Sequence, residues 1–275
     1  MLGPYLIDKI CLRPTDEVVA NHGKIRRMLP YGRRQLEVFS WQRNGSPADP
    51  VDLFVLKFGG VGTRAERSTD NPVEYWDDLR CELWAVNPPG YGASEGRASL
   101  KNWAGMAETA FEAISDAAQG RPILVVGNSM GCLPALYLSA KYDIAGLVLR
   151  NAPSLKHVIA ARAAWWNLYV GAPVLSHFGP RMLNSLRNAT FASAPALFIT
   201  SGRDRVVPPH CQDLVVQAYG GEKRRLLLSR AGHSSPPRAE ELPRYEQLLN
   251  WLRDRMFNRN EMVSTEADGE SAFRS

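Results

Sequence analysis

Three side chains of this 275-residue chain have the types and the order that nucleophilic catalysis requires. Ser129, Asp204 and His233 follow one another along the sequence. A serine hydroxyl is a poor nucleophile at neutral pH, so it needs an imidazole to accept its proton, and the imidazole needs a carboxylate to fix its tautomer. The three residues therefore predict a catalytic triad, with Ser129 as nucleophile, His233 as base and Asp204 as the orienting acid.

Ser129 lies at the centre of a Gly-x-Ser-x-Gly sequence, residues 127–131. The apolar run 122–126 predicts a buried strand before it, and apolar residues at helical spacing in 132–140 predict a helix after it. A serine in this position fits a nucleophile elbow, a sharp turn that needs glycine on both sides. The helix N-terminus would aim the Met130 N–H at a developing oxyanion. The pattern also arises by chance, so the prediction depends on the acid and the base as well.

The acid and the base are each chosen from several candidates. His233 is the one histidine in a glycine-flanked loop after the last predicted strand, although a histidine there could simply be a surface residue. The other histidines are His22, His157, His177 and His210. Asp204 could instead be a turn residue that binds its own backbone. The rivals for the acid are Asp213, on a predicted helix, and Asp143, which precedes its strand.

The elements that must position these residues alternate between strands and helices. Strands are predicted at 51–58, 81–86, 122–126, 145–150, 196–200 and 225–229. Helices are predicted at 72–79, from Ser99 to Gly120, at 132–140, at 212–218 and along a final stripe at 245–256, and an antiparallel edge pair is predicted at 18–20 and 35–41. This alternation predicts a mostly parallel sheet with helices on both faces, whose site lies at the carboxyl ends of its strands.

One segment and one tail stand apart from this pattern. Residues 151–193 contain no obvious strand and are predicted to form a small helical cap insert. The aromatic residues Trp165, Trp166 and Tyr169 within it could line an acyl pocket above Ser129, or they could form the core of the cap itself. The polar residues 259–275 predict a disordered tail, and residues 1–258 are predicted to form a single domain.

The composition argues against several classes of protein. No stretch approaches the roughly 20 apolar residues of a membrane-spanning helix, and no secretory signal is visible, so we expect a cytoplasmic protein without a membrane span. The four cysteines form no metal or disulfide pattern, so no cofactor and no metal are expected. The net charge is +5. The basic cluster at 24–34 could face anionic lipid or nucleic acid, but we favour the solvent-exposed face of an edge hairpin, without a nucleic-acid partner.

Four motifs together resemble the α/β-hydrolase superfamily of serine hydrolases, over roughly residues 51–256. Besides 127–131, residues 87–94 are similar to its Pro-Gly-aromatic-Gly-x-Ser loop, 202–208 to its acid loop and 232–233 to its base loop. The resemblance implies an α/β-hydrolase fold with a cap at 151–193. It also implies that the N–H of Gly60 joins that of Met130 in an oxyanion hole. This chain has Phe58-Gly59 where the family often has His-Gly, which leaves the exact hole residue open.

The expected activity is hydrolysis of an ester or thioester of an apolar acyl group through an acyl-enzyme on Ser129. The expected partner is a small-molecule acyl substrate, and the oligomeric state stays open. An apolar chain is favoured because each buried CH₂ contributes about 0.8 kcal/mol. The alternatives are an amidase, a peptidase or an acyltransferase that uses the same triad, and a non-catalytic binding protein that kept the scaffold. Dehalogenase chemistry is disfavoured because the elbow carries a serine rather than an aspartate.

Overall fold

An eight-stranded sheet forms the centre of the molecule. The computed structural model describes residues 2–45, 49–159 and 179–272. Within these residues the strand order is β1-β2-β4-β3-β5-β6-β7-β8. The strands are β1 (Ile25–Tyr31), β2 (Arg34–Arg43), β3 (Leu53–Phe58), β4 (Cys81–Val86), β5 (Ile123–Asn128), β6 (Gly146–Arg150), β7 (Ala196–Ser201) and β8 (Lys223–Leu228). The pairings from β4 to β8 are all parallel, whereas β1 and β2 are antiparallel to their neighbours.

Helices cover both faces of the sheet. They are α1 (Leu2–Cys11), α2 (Trp103–Ala118), α3 (Cys132–Lys141), α4 (Ser185–Phe191), α5 (Pro209–Ala218) and α6 (Leu242–Ala272). Successive strand residues point to opposite faces: in β5, Val125 packs into the core under α1, α2 and α3, while Leu124 packs into the core under α6. The mostly parallel sheet with helices on both faces, predicted from the sequence, is confirmed.

The basic cluster at 24–34 lies on the edge hairpin formed by β1 and β2, which turns at Gly32 with φ +60°. Arg26 pairs with Glu37 at 2.6 Å, and the guanidinium of Arg27 lies over the ring of Trp84. The interpretation as an edge hairpin therefore holds. The predicted strand at 18–20 is wrong, because the first strand of the pair begins only at Ile25. The sequence pattern did not indicate β1, because arginines interrupt its apolar residues; an edge strand needs only one apolar face.

Three further elements differ from the sequence predictions. The helix predicted at 72–79 is a single 3₁₀ turn, Val73–Tyr75; Trp76 after it has non-helical backbone angles and is fully buried, so tertiary packing outweighs the local helix signal. Helix α1 was not predicted. Helix α6 extends beyond the helical stripe predicted at 245–256 and ends at Ala272, and the disorder predicted for 259–275 stays a prediction.

The described part of the predicted cap insert is helical at 155–159, at the 3₁₀ turn Arg181–Leu183 and in α4. Trp165, Trp166 and Tyr169 lie outside the described residues, as do 273–275 of the predicted tail.

Candidate active site

The turn between β5 and α3 holds Ser129 in a strained conformation. Its φ is +52°, in the left-handed region that side-chain-bearing residues rarely occupy, and a 3₁₀ turn, Ser129–Gly131, leads into the helix. Both flanking glycines are sterically required. A Cβ on Gly131 would lie 2.1 Å from the Phe58 carbonyl oxygen, and a Cβ on Gly127 would lie 2.7 Å from the Cys132 Cα. The turn therefore has the geometry that the sequence predicted for a nucleophile elbow.

The structure brings His233 and Asp204 together. The imidazole Nδ1 lies 2.7 Å from Asp204 Oδ2, so Nδ1–H donates to the carboxylate in the tautomer that leaves Nε2 as an acceptor. The Asp204 side chain is fully buried, while that of His233 is 21% exposed. The other carboxylate oxygen, Oδ1, accepts from the backbone N–H groups of Val206 and Val207, at 2.8 and 2.9 Å. The Asp204 carboxylate is thus fixed by its own loop and offers one oxygen to His233.

Gln212, on α5, holds the acid loop from behind, and sequence reasoning missed it. Its Nε2 donates to Asp204 Oδ2 at 3.3 Å and to the Val207 carbonyl at 2.8 Å, and its Oε1 accepts from the Ser201 N–H at 3.3 Å. The side chain is completely buried. Gln212 therefore ties the end of β7 to the acid loop.

Asn151 plays the corresponding role for the loop that carries His233, and sequence reasoning missed it as well. It follows β6 with φ +52°. Its Oδ1 accepts from the Ser201 N–H at 3.1 Å, and its Nδ2 donates to the His233 carbonyl at 2.7 Å. The preceding residue, Arg150, donates through Nη2 to the Ser235 carbonyl. Two adjacent residues at the end of β6 thus hold the loop that carries His233.

The rival candidates lie elsewhere. Asp213, on α5, pairs with Arg225 of β8 at 2.7 Å. Asp143 lines a cleft near Arg121 at the amino end of the sheet, opposite to Ser129. His157 is bonded to the Ser154 hydroxyl, and His22 and His210 are exposed. His177 lies outside the described residues.

The loop after β3 packs against the elbow, where an oxyanion hole was predicted. A Cβ on Gly60 would lie 3.3 Å from Ser129 Cβ and 3.9 Å from Ser129 Oγ. The Gly60 carbonyl accepts from the N–H and the hydroxyl of Thr63, at 3.2 and 2.7 Å, which fixes the loop. Met130 follows Ser129 directly and buries its side chain in the core. The backbones of Gly60 and Met130 therefore both lie beside Ser129.

A cavity of about 340 Å³ adjoins this loop on the face of the sheet that α6 covers. Gly60, Gly127 and Asn128 form part of its wall, and two cationic side chains, Lys57 and Arg150, also line it. Burial lowers the pKa of Lys57 to about 7 and also lowers the pKa of Arg150. Within the described residues no three His, Cys, Asp or Glu side chains are grouped as a metal site would need. None of the helices in that part of the chain is long and apolar enough to cross a membrane.

Comparison with known proteins agrees with this architecture. Residues 59–179 match a family described as the alpha/beta hydrolase fold. The human Alpha/beta hydrolase domain-containing protein 17B is 31% identical over 75 residues, which are 26% of this chain and 26% of that protein. The Caenorhabditis elegans Alpha/beta hydrolase domain-containing protein aho-3 is 32% identical over 75 residues, 26% of this chain and 23% of its own. The matched stretch thus spans about a quarter of these curated relatives.

Solved structures share the fold over most of the chain. An esterase of Pyrococcus furiosus superposes with a TM-score of 0.65 at 16% identity, over 89% of this chain and 98% of that one. A Pyrococcus horikoshii acylaminoacyl peptidase gives 0.61 at 14% identity, over 84% of this chain and 40% of that one. A metagenome-derived lipolytic enzyme gives 0.56 at 18% identity, over 83% of this chain and all of that one. These matches confirm the α/β-hydrolase fold that the sequence motifs predicted.

Proposed function

We propose that this chain, which has the α/β-hydrolase fold, is a serine hydrolase that cleaves an ester or thioester of an apolar acyl group through an acyl-enzyme on Ser129. The observation that carries the proposal is the 2.7 Å contact between His233 Nδ1 and the buried Asp204 carboxylate, in a molecule whose β5–α3 turn presents a serine at positive φ. A base held in one tautomer and a serine on a strained turn are what nucleophilic acyl transfer needs.

The proposed reaction has two balanced halves. His233 Nε2 takes the proton of Ser129 Oγ as the oxygen attacks the acyl carbonyl carbon, and the carbonyl oxygen becomes an oxyanion that the N–H groups of Gly60 and Met130 stabilise. The oxyanion collapses, the bond to the leaving alcohol or thiol breaks, and His233 returns its proton to that group. A water molecule then repeats the sequence on the acyl-enzyme, which releases the acid and restores Ser129.

The apolar acyl group is the part of the proposal that depends most on the cap. Trp165, Trp166 and Tyr169, outside the described residues, are proposed as walls of the acyl pocket. If so, kcat/KM should rise along a series from acetyl to decanoyl esters of one leaving group, since each buried CH₂ contributes about 0.8 kcal/mol, and should then level off. A flat series, or activity only on amino-acid amides, would rule out this acyl pocket.

We also propose a cytoplasmic location. The four cysteines form no disulfide, and all of them are buried thiols, as in proteins of a reducing compartment. Fractionation of cells that express the tagged full chain would test this, and recovery with the membranes or outside the cell would contradict it.

The nucleophile is tested by replacing Ser129. Ser129→Ala should lower kcat on a p-nitrophenyl ester by a factor of roughly 10⁴ or more and should abolish covalent labelling by a fluorophosphonate. The matched control is Ser139→Ala in the helix after the elbow. It removes a buried hydroxyl that has no hydrogen-bond partner among the described residues, and it should keep both activity and labelling. Equal rates for wild type and Ser129→Ala would refute the proposed function.

A further inference from the structure

We propose that the cavity beside the elbow binds an anionic group of the substrate, a carboxylate or a phosphate, between Lys57 and Arg150. This inference rests on the proposed function and adds a substrate class to it: an ester or thioester whose acyl part or leaving group carries that anion.

The position of the cavity suits a part of the substrate that does not itself react. Its wall includes Gly60 and Asn128, the residue before the serine. A Cβ added to Gly60 would lie 3.9 Å from Ser129 Oγ. The sheet register pairs Lys57 with Val126 and Asn128 with Arg150, so that the side chains of Lys57, Asn128 and Arg150 leave the same face of neighbouring strands. A volume of about 340 Å³ is at the lower end of the range for small-molecule pockets.

The charges of the walls are all of one sign. Among the described residues that line the cavity, four are cationic and none is acidic; the cations are Lys57, Arg64, Arg67 and Arg150. Two of them are neutralised outside the cavity, Arg64 by Glu66 and Arg67 by Glu17. In the described part of the chain, no carboxylate forms an ion pair with either Lys57 or Arg150. A buried charge without a counter-ion is costly, so an anion in the cavity would relieve the cost of both.

Lys57 has a donor left for a ligand. Lys57 is 9% exposed, and its Nζ donates to the carbonyls of Thr69 and Asn71. An ammonium group has three N–H donors, so one remains. The charged groups around Lys57 are Asp70 and Glu74, which raise its pKa, and Lys24, which lowers it, but burial is the largest influence and holds the pKa near 7. Lys57 is therefore a cation whose charge depends on what fills the cavity.

Arg150 also has an unused donor. Nη2 donates to the Ser235 carbonyl, whereas Nε is buried and has no hydrogen-bond partner within the described residues. Nε and a terminal nitrogen of a guanidinium form a planar fork that matches a carboxylate or a phosphate. Asn128, on the strand between the two cations, is exposed. A single anion would thus find three donor side chains from three strands.

The first experiment compares esters that differ only in charge. One pair carries the anion on the acyl side, mono-p-nitrophenyl glutarate against its methyl ester, and a second carries it on the leaving group, 4-carboxyphenyl butyrate against its methyl ester. In at least one pair, wild-type kcat/KM should favour the anionic ester about tenfold or more. This preference should disappear in Lys57→Met and in Lys57→Gln, and it should persist in Lys101→Met, which removes an exposed lysine remote from the cavity. Absence of a preference in both pairs, or its survival without Lys57, would overturn the inference.

The preference should also depend on pH in a direction that a structural role of Lys57 would not produce. Lys57 is charged below about pH 7 and loses its proton above it. The kcat/KM for the anionic ester, divided by the kcat/KM for the neutral ester, should therefore fall as the pH rises. Because a bound anion raises the pKa of Lys57, this fall should occur at a higher pH than the titration of the free protein. The titration of the base cancels in this ratio. A ratio that stays constant across the window would contradict the role of Lys57.

Direct binding separates the inference from the proposed function. Glutarate and inorganic phosphate are titrated into wild type, Lys57→Gln and Lys101→Met by calorimetry, and the two titrations show whether a carboxylate or a phosphate binds more tightly. The anion site is supported if wild type and Lys101→Met bind either anion and Lys57→Gln binds it at least about tenfold more weakly. This conclusion holds even if Ser129→Ala hydrolyses every ester as fast as wild type. Hydrolysis that depends on Ser129 without any anion binding refutes the site and leaves the hydrolase intact.

Discussion

Two non-glycine residues with φ +52°, Ser129 and Asn151, follow neighbouring strands of the sheet. Left-handed backbone at such residues costs on the order of 1–3 kcal/mol and persists only where the surroundings fix it. Ser129 is fixed by the glycines beside it, and Asn151 by two side-chain hydrogen bonds, to the Ser201 N–H and the His233 carbonyl. The strained residue at the end of β5 is thus the proposed nucleophile, and the strained residue at the end of β6 holds the loop that carries His233.

Asp204→Asn should leave the fold intact and lower kcat by a factor of roughly 10⁴, because the amide cannot hold the His233 tautomer that accepts the serine proton. The control is Asp213→Asn, which affects only the ion pair with Arg225 and should keep kcat. Ester hydrolysis by the purified variants, with circular dichroism to verify the fold, measures both. A large loss in Asp213→Asn with full activity in Asp204→Asn would show that the acid is misassigned.

Asn151→Gly should lower kcat by about 10²-fold, the size of effect that follows when a catalytic group is displaced by about 1 Å. Glycine adopts the positive φ freely but removes both hydrogen bonds that join the base loop to β7. Asn151→Asp is the matched variant: it keeps an acceptor for the Ser201 N–H, loses the donor to His233, and should give an intermediate kcat. If both variants retained wild-type kcat, Asn151 would not position the base.

Among the elements, the turn between β5 and α3 is set by steric contact with the loop after β3. Gly131→Ala would place a methyl group 2.1 Å from the Phe58 carbonyl oxygen and 2.6 Å from that of Gly59. Both atoms belong to the backbone and cannot rotate away. Gly131→Ala should therefore lower the free energy of unfolding by roughly 3 kcal/mol or more and reduce esterase activity.

The control for this variant is Gly105→Ala in α2, whose new Cβ would meet the Tyr31 side chain rather than backbone, with the hydroxyl oxygen at 3.3 Å and Cε2 at 3.4 Å. Alanine also favours a helix over glycine by about 1 kcal/mol, so Gly105→Ala should be close to neutral. Urea denaturation measures both variants. Similar stability of Gly131→Ala and wild type would show that the turn tolerates the methyl group by opening.

The elements that the sequence predicted well are those whose own residues determine them. The apolar runs at 81–86 and 122–126 match β4 and β5 closely, because strands buried on both faces need continuous apolar residues. The elements that were missed depend on distant partners. The edge strand β1 is stabilised by pairing with β2, and the segment after Pro72 turns so that Trp76 is buried under the sheet. No local pattern contains that information.

The same division applies to the candidate site. Ser129, Asp204 and His233 could be proposed from the sequence because nucleophile, acid and base chemistry demand particular residue types in particular loops, and their catalytic roles stay a prediction. Gln212 and Asn151 could not, since both act mainly on backbone groups of other elements, which any sequence supplies. The one available signal was an asparagine directly after a predicted strand, because asparagine tolerates left-handed backbone. Lys57 in an otherwise apolar strand was visible too, but its meaning depends on the cavity.

Across the whole molecule, the two cores on either side of the sheet are apolar, and Lys57 is an exception within β3. All six residues of that strand are buried, and five of them are apolar. A cationic residue there lowers the stability of the fold when the cavity is empty, and the anion site gives it a function. The cost of retaining this cation should be measurable as a dependence of global stability on pH.

Burial lowers the pKa of Lys57 in the folded protein to about 7, below its ordinary value of 10.5. Between these two values the unfolded chain holds a proton that the folded chain lacks, so the free energy of unfolding rises with pH, by about 1.4 kcal/mol per pH unit. Urea denaturation of wild type and Lys57→Met through this window, without phosphate or carboxylate buffers, should therefore show wild type gaining stability relative to the variant as the pH rises. Lys57→Gln, equally uncharged, should follow Lys57→Met. Parallel curves of stability against pH for wild type and both variants would mean that Lys57 keeps its proton in the folded protein. Added glutarate should make the wild-type curve more nearly parallel to those of the variants, because a bound anion raises the pKa of the lysine.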